Sequence, residues 1–300
     1  MSLVIVGSVA FDTIETPRER KEKIIGGSCT YCSLAASYFT RPGIVAVIGE
    51  DFPEATIDLL KKRKIDLKGL EVVPGGKTFH WQGRYGDDPN QRETVRTDLN
   101  VFQDFRPEIP PSYRKADILF LANIDPDIQE AILKQVDKPR LTAMDTIGLW
   151  INSKREAFLR VLRGVDIFFA NDEEVRMLTG ERNLVMGVRR ILEMGPKYVV
   201  AKKGEHGVLV LGREFVFGMM AYANARVVDP TGAGDSFAGG FLGYLDKVGR
   251  SGPREIRRAS AEGTVMASFA IEDFGIDRFL SLKSREIEER LKILKSWTVF

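Results

Sequence analysis

The chain has 300 residues, 44% of them hydrophobic and 29% charged, the composition of a globular protein able to bury about three quarters of its unfolded surface. The formal net charge is +2 and neither half carries a long run of one sign, which excludes nucleic acid and anionic membrane as main partners. Two cysteines exclude a disulfide framework, no apolar run reaches the roughly 20 residues that cross a bilayer, and no leader is evident, so a cytoplasmic protein is expected.

Residues 3–9 form an apolar run that predicts a buried strand ending near Asp12. Gly26 and Gly27 open a small-residue segment, 29–39, that reads as a helix carrying Cys29 and Cys32. A redox or metal role for this C-x-x-C pair needs an exposed thiolate or two further ligands, and two small buried residues is the simpler reading. A strand at 44–48, an amphipathic helix at 55–64 and a strand opening at 70–73 follow. The basic cluster Lys61, Lys62, Arg63 and Lys64 reads as a solvated helix end.

Residues 77–99 break this alternation. Phe79, Trp81, Gly83 and Tyr85 fall on one face and His80, Gln82 and Arg84 on the other, around turn residues Asp87, Asp88, Pro89 and Asn90. That pattern predicts a β-hairpin with two unlike faces, joined by residues 13–25 in a small projecting sheet. Beyond it, strands at 118–122, 141–145, 167–170, 198–201 and 208–211 alternate with helices at 128–135, 154–162, 173–178 and 184–194. Three more helices are expected at 236–248, 253–270 and 284–295. Strand–helix alternation of this kind belongs to a mostly parallel, doubly wound sheet in a single domain spanning 1–300.

The segment VDPTGAGDSFAGGFL, residues 228–242, carries the most chemistry. Gly232, Ala233 and Gly234 lack bulky side chains, so their N–H groups can converge on one anion, and a helix starting near Gly234 or Asp235 adds its positive end. Asp235 is then a carboxylate at the rim of an anion hole, able to take a proton from an attacking hydroxyl.

This string closely resembles the C-terminal signature of the ribokinase-like (PfkB) carbohydrate kinases. The resemblance implies a three-layer α/β sandwich with a small β-lid at about 13–25 and 77–99, and transfer of the γ-phosphoryl of ATP, with Mg²⁺, to a hydroxyl of a sugar or sugar-like molecule. It gives Asp235 the role of base and Gly232, Ala233 and Gly234 that of stabilising the moving phosphoryl. Asn171-Asp172-Glu173-Glu174 resembles the family's Asn-x-x-Glu element, which places Asn171 near the nucleotide phosphates and Glu174 near the metal and its waters. Lys202-Lys203-Gly204-Glu205-His206-Gly207 resembles its nucleotide-binding Gly-x-x-Gly loop, and Thr264 and Ser268 fall on the helix that closes the nucleobase pocket. Asp12, Gly26 and Gly27 take the positions of the substrate aspartate and the di-glycine hinge. Relatives also pair such lids across a dimer, so the resemblance allows a homodimer through Phe79, Trp81 and Tyr85.

Two departures bear on the substrate. Tyr31 stands where the family usually has a sugar-binding Asn, and Asn123 and Ile124 stand near the position of an acidic sugar ligand. An aromatic wall there favours a nucleoside kinase of the same fold as the alternative reading. A catalytically idle nucleotide-binding module is a third, against which the retained Asp235 counts. Gly76-Lys77-Thr78 is no P-loop, because Glu71 stands where the first glycine is required, and Asp273-Phe274-Gly275 lacks the rest of a protein-kinase motif. The dinucleotide fingerprint also fails, at Phe237.

Overall fold

The computed structural model describes residues 3–88, 90–224 and 226–297; Pro89, one of the expected turn residues, lies outside them. Its strands are β1 (Leu3–Val6), β2 (Ala10–Glu15), β3 (Arg20–Gly26), β4 (Gly43–Gly49), β5 (Asp66–Val73), β6 (Phe79–Tyr85), β7 (Arg92–Asp98), β8 (Ile118–Leu121), β9 (Leu141–Met144), β10 (Ile167–Asn171), β11 (Tyr198–Lys202), β12 (Val208–Gly212) and β13 (Phe215–Met219). Its helices are α1 (Ser28–Ala36), α2 (Glu54–Lys62), α3 (Pro126–Leu133), α4 (Gly148–Ser153), α5 (Arg155–Leu162), α6 (Asp172–Thr179), α7 (Leu184–Glu193), α8 (Ala233–Val248), α9 (Pro253–Ala270), α10 (Asp277–Ser281) and α11 (Ser284–Ser296).

Nine strands form the main sheet in the order β13-β12-β11-β10-β9-β8-β1-β4-β5, all running the same way except β12, which is antiparallel to both β11 and β13. Alternation along each strand sends side chains to two separate cores. Leu3 and Ile5 of β1, with Phe120 and Phe169, pack under α1, α8 and α9, while Val4, Val6, Leu119 and Phe168 pack under α3, α5, α6 and α7. This is the ribokinase-like α/β sandwich. Helix α1 is buried over its whole length, as its all-apolar and small composition requires. It lies tight on α8 because a Cβ at Gly239 would strike the Cys32 carbonyl and one at Gly243 would meet the Ala36 backbone at 3.0 Å. Cys29 and Cys32 sit in that seam as buried free thiols, and burial holds both above the ordinary thiol range. No thiolate is exposed for redox work.

Several boundaries differ from the reading of the sequence. The run 3–9 is not one strand: β1 ends at Val6, and the chain crosses at 7–9 into β2 of a second sheet, which carries Asp12 mid-strand. The expected solvated helix end is only partly so, because Arg63 donates to the carbonyls of Phe279 and Leu280 and lies over the Tyr38 ring. Strand β13 and the short helices α4 and α10 lacked a periodic signal and were not anticipated.

The second sheet runs β3-β2-β6-β7, with β2 parallel to β6 and antiparallel to β3. Its inner face rests on the body through Ile14, Ile24, Trp81 and Tyr85 against Val228 and Phe274. Tyr85, a residue of the anticipated dimer contact, is therefore buried against its own chain. The opposite face carries Glu15, His80 and Arg84, with Thr13 Oγ1 2.9 Å from His80 Nε2 and Arg84 paired to Glu15. Among the described residues no helix is long and apolar enough to cross a membrane.

Candidate active site

The C-terminal ends of β9, β10 and β11 adjoin, and each delivers a polar group to the same crevice, where open α/β sheets bind ligands. Asp145 follows β9, Asn171 ends β10, and Lys202, its register partner, ends β11. Lys202 Nζ lies 2.7 Å from Asp145 Oδ2, and both side chains are largely shielded from water. Burial opposes the ammonium charge, but Asp145 and Glu174 outweigh it and hold Lys202 above its ordinary value. The same ammonium stands 3.0 Å from where a Cβ at Gly234 would be, at the mouth of α8.

Gly232 caps α8 with φ +75°, a left-handed conformation that favours glycine, and a Cβ there would also strike the Tyr31 ring. The Ala233 N–H turns back to the Pro230 carbonyl (3.3 Å), and the Ser236 N–H makes the first helical bond, to the Gly232 carbonyl. The N–H groups of Gly234 and Asp235 have no partner among the described residues. The free donors are thus not those of the whole Gly-Ala-Gly triplet: Ala233 is spent on the turn, and Asp235 supplies an amide as well as a carboxyl. Burial and the nearby Asp145 push the Asp235 carboxyl up to about 7, with Lys202 and Arg92 acting the other way.

Asn171 and Glu174 form a reciprocal cap on α6, Asn171 Oδ1 accepting from Glu174 N and Glu174 Oε2 from Asn171 N, both at 2.7 Å. One Glu174 oxygen is thereby committed to the helix. Burial raises its pKa to about 7 even though Lys202 opposes the shift. Asp145, Glu174 and Asp235 set three carboxyls around one ammonium, yet no three acidic, His or Cys groups among the described residues converge tightly enough to hold a metal alone.

On the acceptor side, Asp12 is buried against Gly26, where any Cβ would strike its carboxyl. Burial, then Asp229 and Asp235, push Asp12 up to about 8. Gly27 caps α1 at φ +94° and lies 2.5 Å, in the place a Cβ would take, from the Ser8 carbonyl. Tyr31 is 1% exposed, its ring against Gly232 and its hydroxyl without a partner among the described residues. Asn123 is tied elsewhere, its Oδ1 accepting from Trp150 Nε1 at 3.0 Å.

The sequence Lys203 to Gly207 forms the turn between the antiparallel strands β11 and β12, with Gly204 at φ +52° and Gly207 at +84°. Lys203 N donates to Gly207 O, and Glu205 accepts from Asn90 Nδ2 at 2.6 Å. Thr264 and Ser268 lie buried on α9, and Ser268 Oγ is occupied by Arg290 at 2.9 Å and the Val265 carbonyl at 2.6 Å. The open surface beside them is a cleft lined by Tyr222, Asn224, Arg226 and Glu272.

No motif singles out Asp145 or Arg92, and Lys202 opens the Gly-x-x-Gly string without being given a role by it. The signal available for Asp145 and Lys202 was their place as charged residues closing apolar strands on the ligand-binding edge of the sheet.

Residues 2–279 match the pfkB family of carbohydrate kinases. The chain belongs to this family. It is a phosphotransferase acting on a hydroxyl group of a sugar or nucleoside. The kinase is 32% identical over 250 residues to a cytidine kinase of Thermococcus kodakarensis, covering 81% of this chain and 88% of that one. It is 27% identical to a 2-dehydro-3-deoxygluconokinase of Thermoproteus tenax, covering 91% and 87%. In fold it resembles a nucleoside kinase of Burkholderia thailandensis solved with inosine, with TM-score 0.79, 18% identity and coverage of 98% and 99%.

Proposed function

We propose that this kinase transfers the γ-phosphoryl of ATP to a hydroxyl of a nucleoside, with Asp235 as the base. The observation that carries the chemistry is the Asp235 carboxyl on the first turn of α8, beside two amides unpartnered among the described residues and near the Lys202 ammonium. Asp235 takes the acceptor proton as the acceptor oxygen bonds to phosphorus. The Gly234 and Asp235 amides and the positive end of α8 hold the charge on the moving phosphoryl, and Lys202 balances the leaving diphosphate. The Gly204–Gly207 turn, with Asn171, Lys203 and Glu205, is assigned to the nucleotide phosphates, and the cleft by Thr264 and Ser268 to its base.

Three carboxyls against one ammonium leave a negative excess that suits Mg²⁺, which keeps its waters and takes few protein ligands. Bound there, Mg²⁺ would neutralise the β- and γ-phosphate oxygens, held through Glu174 and Asp145. Glu174→Gln keeps an acceptor for the Asn171 N–H, so the α6 cap should survive. The Mg²⁺ concentration for half-maximal rate should rise several-fold with little change in acceptor KM. An unchanged metal dependence would take Glu174 out of the metal's surroundings.

A nucleoside is favoured over a free sugar because the cytidine kinase shares more identity than the sugar-acid kinase, and because beside Asp12 the chain packs the buried ring of Tyr31 in place of a hydrogen-bonding amide. ATP consumption should be measured with cytidine, adenosine, ribose and 2-dehydro-3-deoxygluconate. A nucleoside should exceed ribose in kcat/KM by at least about 10-fold, the scale of an apolar discrimination. Tyr31→Asn should narrow that ratio. Faster turnover of ribose or the sugar acid would reverse the assignment.

A further inference from the structure

We propose that Arg92, carried by the small sheet, is a further catalytic residue that grips the transferring phosphoryl group from the side opposite the α8 amides. The inference rests on the kinase reading above and concerns a residue outside every motif that supports it.

Three placements lead to it. Arg92 opens β7 directly opposite Tyr85 at the end of β6. Tyr85 is fastened to the anion-binding segment, its hydroxyl 3.0 Å from Thr231 Oγ1, one residue before Gly232. Two residues before Arg92, Asn90 donates to Glu205 of the β11–β12 turn at 2.6 Å. The hairpin end is therefore pinned on the loop before α8 and on the proposed nucleotide turn, and Arg92 lies two residues past the second pin and across the ladder from the first.

The guanidinium is held but not neutralised. It lies over the Trp81 ring, 5.5 Å from the centroid, and Gly83 leaves the room that lets the indole lie flat on the strand. Among the described residues Arg92 forms no ion pair, whereas its neighbours Arg84 and Arg96 are paired to Glu15 and Asp98. Exposed and unpaired, the guanidinium is available to an anion. Its charge reaches Asp12, Glu174 and Asp235 alike, opposing the upward push of burial on each. That charge comes from a hairpin end whose two pins are the loop before α8 and the nucleotide turn, the two sides between which the transferred group must pass.

In the step, the bond between phosphorus and the β,γ-bridging oxygen breaks and its electron pair leaves with ADP. The acceptor oxygen forms the new bond to phosphorus, and its proton passes to Asp235. The planar guanidinium fork matches two equatorial oxygens of that phosphoryl, a fit an ammonium lacks. Because the arginine arrives with the hairpin, the full set of donors exists only when the sheet lies on the body, which limits phosphoryl transfer to water.

The test compares wild type, Arg92→Ala, Arg92→Lys and the control Arg96→Ala, using the best acceptor from the substrate screen. Loss of one transition-state donor should lower kcat about 10²- to 10³-fold in Arg92→Ala, with acceptor KM changed less than about 2-fold. Arg92→Lys should recover only part of the rate, added guanidinium should partly rescue Arg92→Ala, and Arg96→Ala should match wild type. Calorimetry with ADP, Mg²⁺ and aluminium fluoride should show wild type gaining affinity over ADP alone and Arg92→Ala losing most of that gain. An unchanged kcat in Arg92→Ala overturns the proposal, as does a raised acceptor KM at intact kcat, which would put the arginine on the acceptor instead. A wild type that turns over and a variant that equals it defeats the arginine alone. A wild type that phosphorylates no acceptor defeats the kinase reading and the arginine's role with it.

Discussion

Asp235→Asn should leave the fold and ATP affinity intact and lower turnover by roughly 10²- to 10⁴-fold, the usual contribution of a general base. The substitution is nearly isosteric, and the α8 amides, Lys202 and Gly232 stay where they are. The pH profile adds a sharper check. A base with a pKa near 7 is half protonated at neutrality, so the wild-type rate should fall as pH drops through about 7. The residual rate of the variant should lose that limb. Stability moves the other way. A carboxyl held above its ordinary value keeps its proton in the folded chain over a range where the unfolded chain has released it. Folding is therefore weakened as pH rises from the ordinary value of 3.8 through about 7, and the penalty persists above that. Asp235→Asn removes one such penalty, so its thermal midpoint should equal or exceed that of wild type at pH 8. Near-normal turnover, or a variant that melts well below wild type at pH 8, would remove Asp235 from the role of base.

The sequence was most legible where one local pattern decides one local structure. The alternation of apolar runs and amphipathic segments marks most strands and helices of the main sheet, because burial on both faces demands near-continuous apolar strands. The string around Gly232 was legible for a related reason: only glycine tolerates φ +75° with an aromatic ring beneath it. What stayed hidden depends on crossings between distant segments. The run 3–9 gives no sign that the chain leaves the sheet at Val6, because β2 opens on Ala10 and Phe11 and so continues the apolar run of β1. Asp145 and Lys202 lie 57 positions apart, and only the order β9-β10-β11 makes them partners. The Gly-x-x-Gly loop drew attention to Lys203, whereas the preceding lysine, the last residue of β11, turned out to reach the crevice. Arg92 is hidden for the same reason, since its importance comes from where the hairpin is pinned.

Lys202→Met should be the most damaging single substitution in the site, and the reason is a charge count. Asp145, Glu174 and Asp235 surround this ammonium, and Asp145 is itself 4% exposed in its side chain. Removing the one cation that, among the described residues, pairs within the cluster leaves a buried carboxylate uncompensated, a change that costs about 3–5 kcal/mol in comparable pairs. Asp145→Asn should cost far less. Lys202 keeps two carboxyls nearby, and the amide oxygen can still accept from Thr146 N, as Asp145 Oδ1 does at 2.9 Å. Order therefore matters: Lys202→Met in an Asp145→Asn background should destabilise by clearly less than Lys202→Met alone. That coupling is readable by chemical denaturation of the four proteins of the cycle. Activity should not recover with stability, because the double variant still lacks the cation beside Gly234. Lys202 also opposes the upward push on Asp235, so any residual rate in Lys202→Met should fall off at higher pH than in wild type. Equal costs for Lys202→Met in both backgrounds would show that the two groups do not sense each other. A double variant restored in turnover as well as in stability would show that the pair serves the fold and not the reaction.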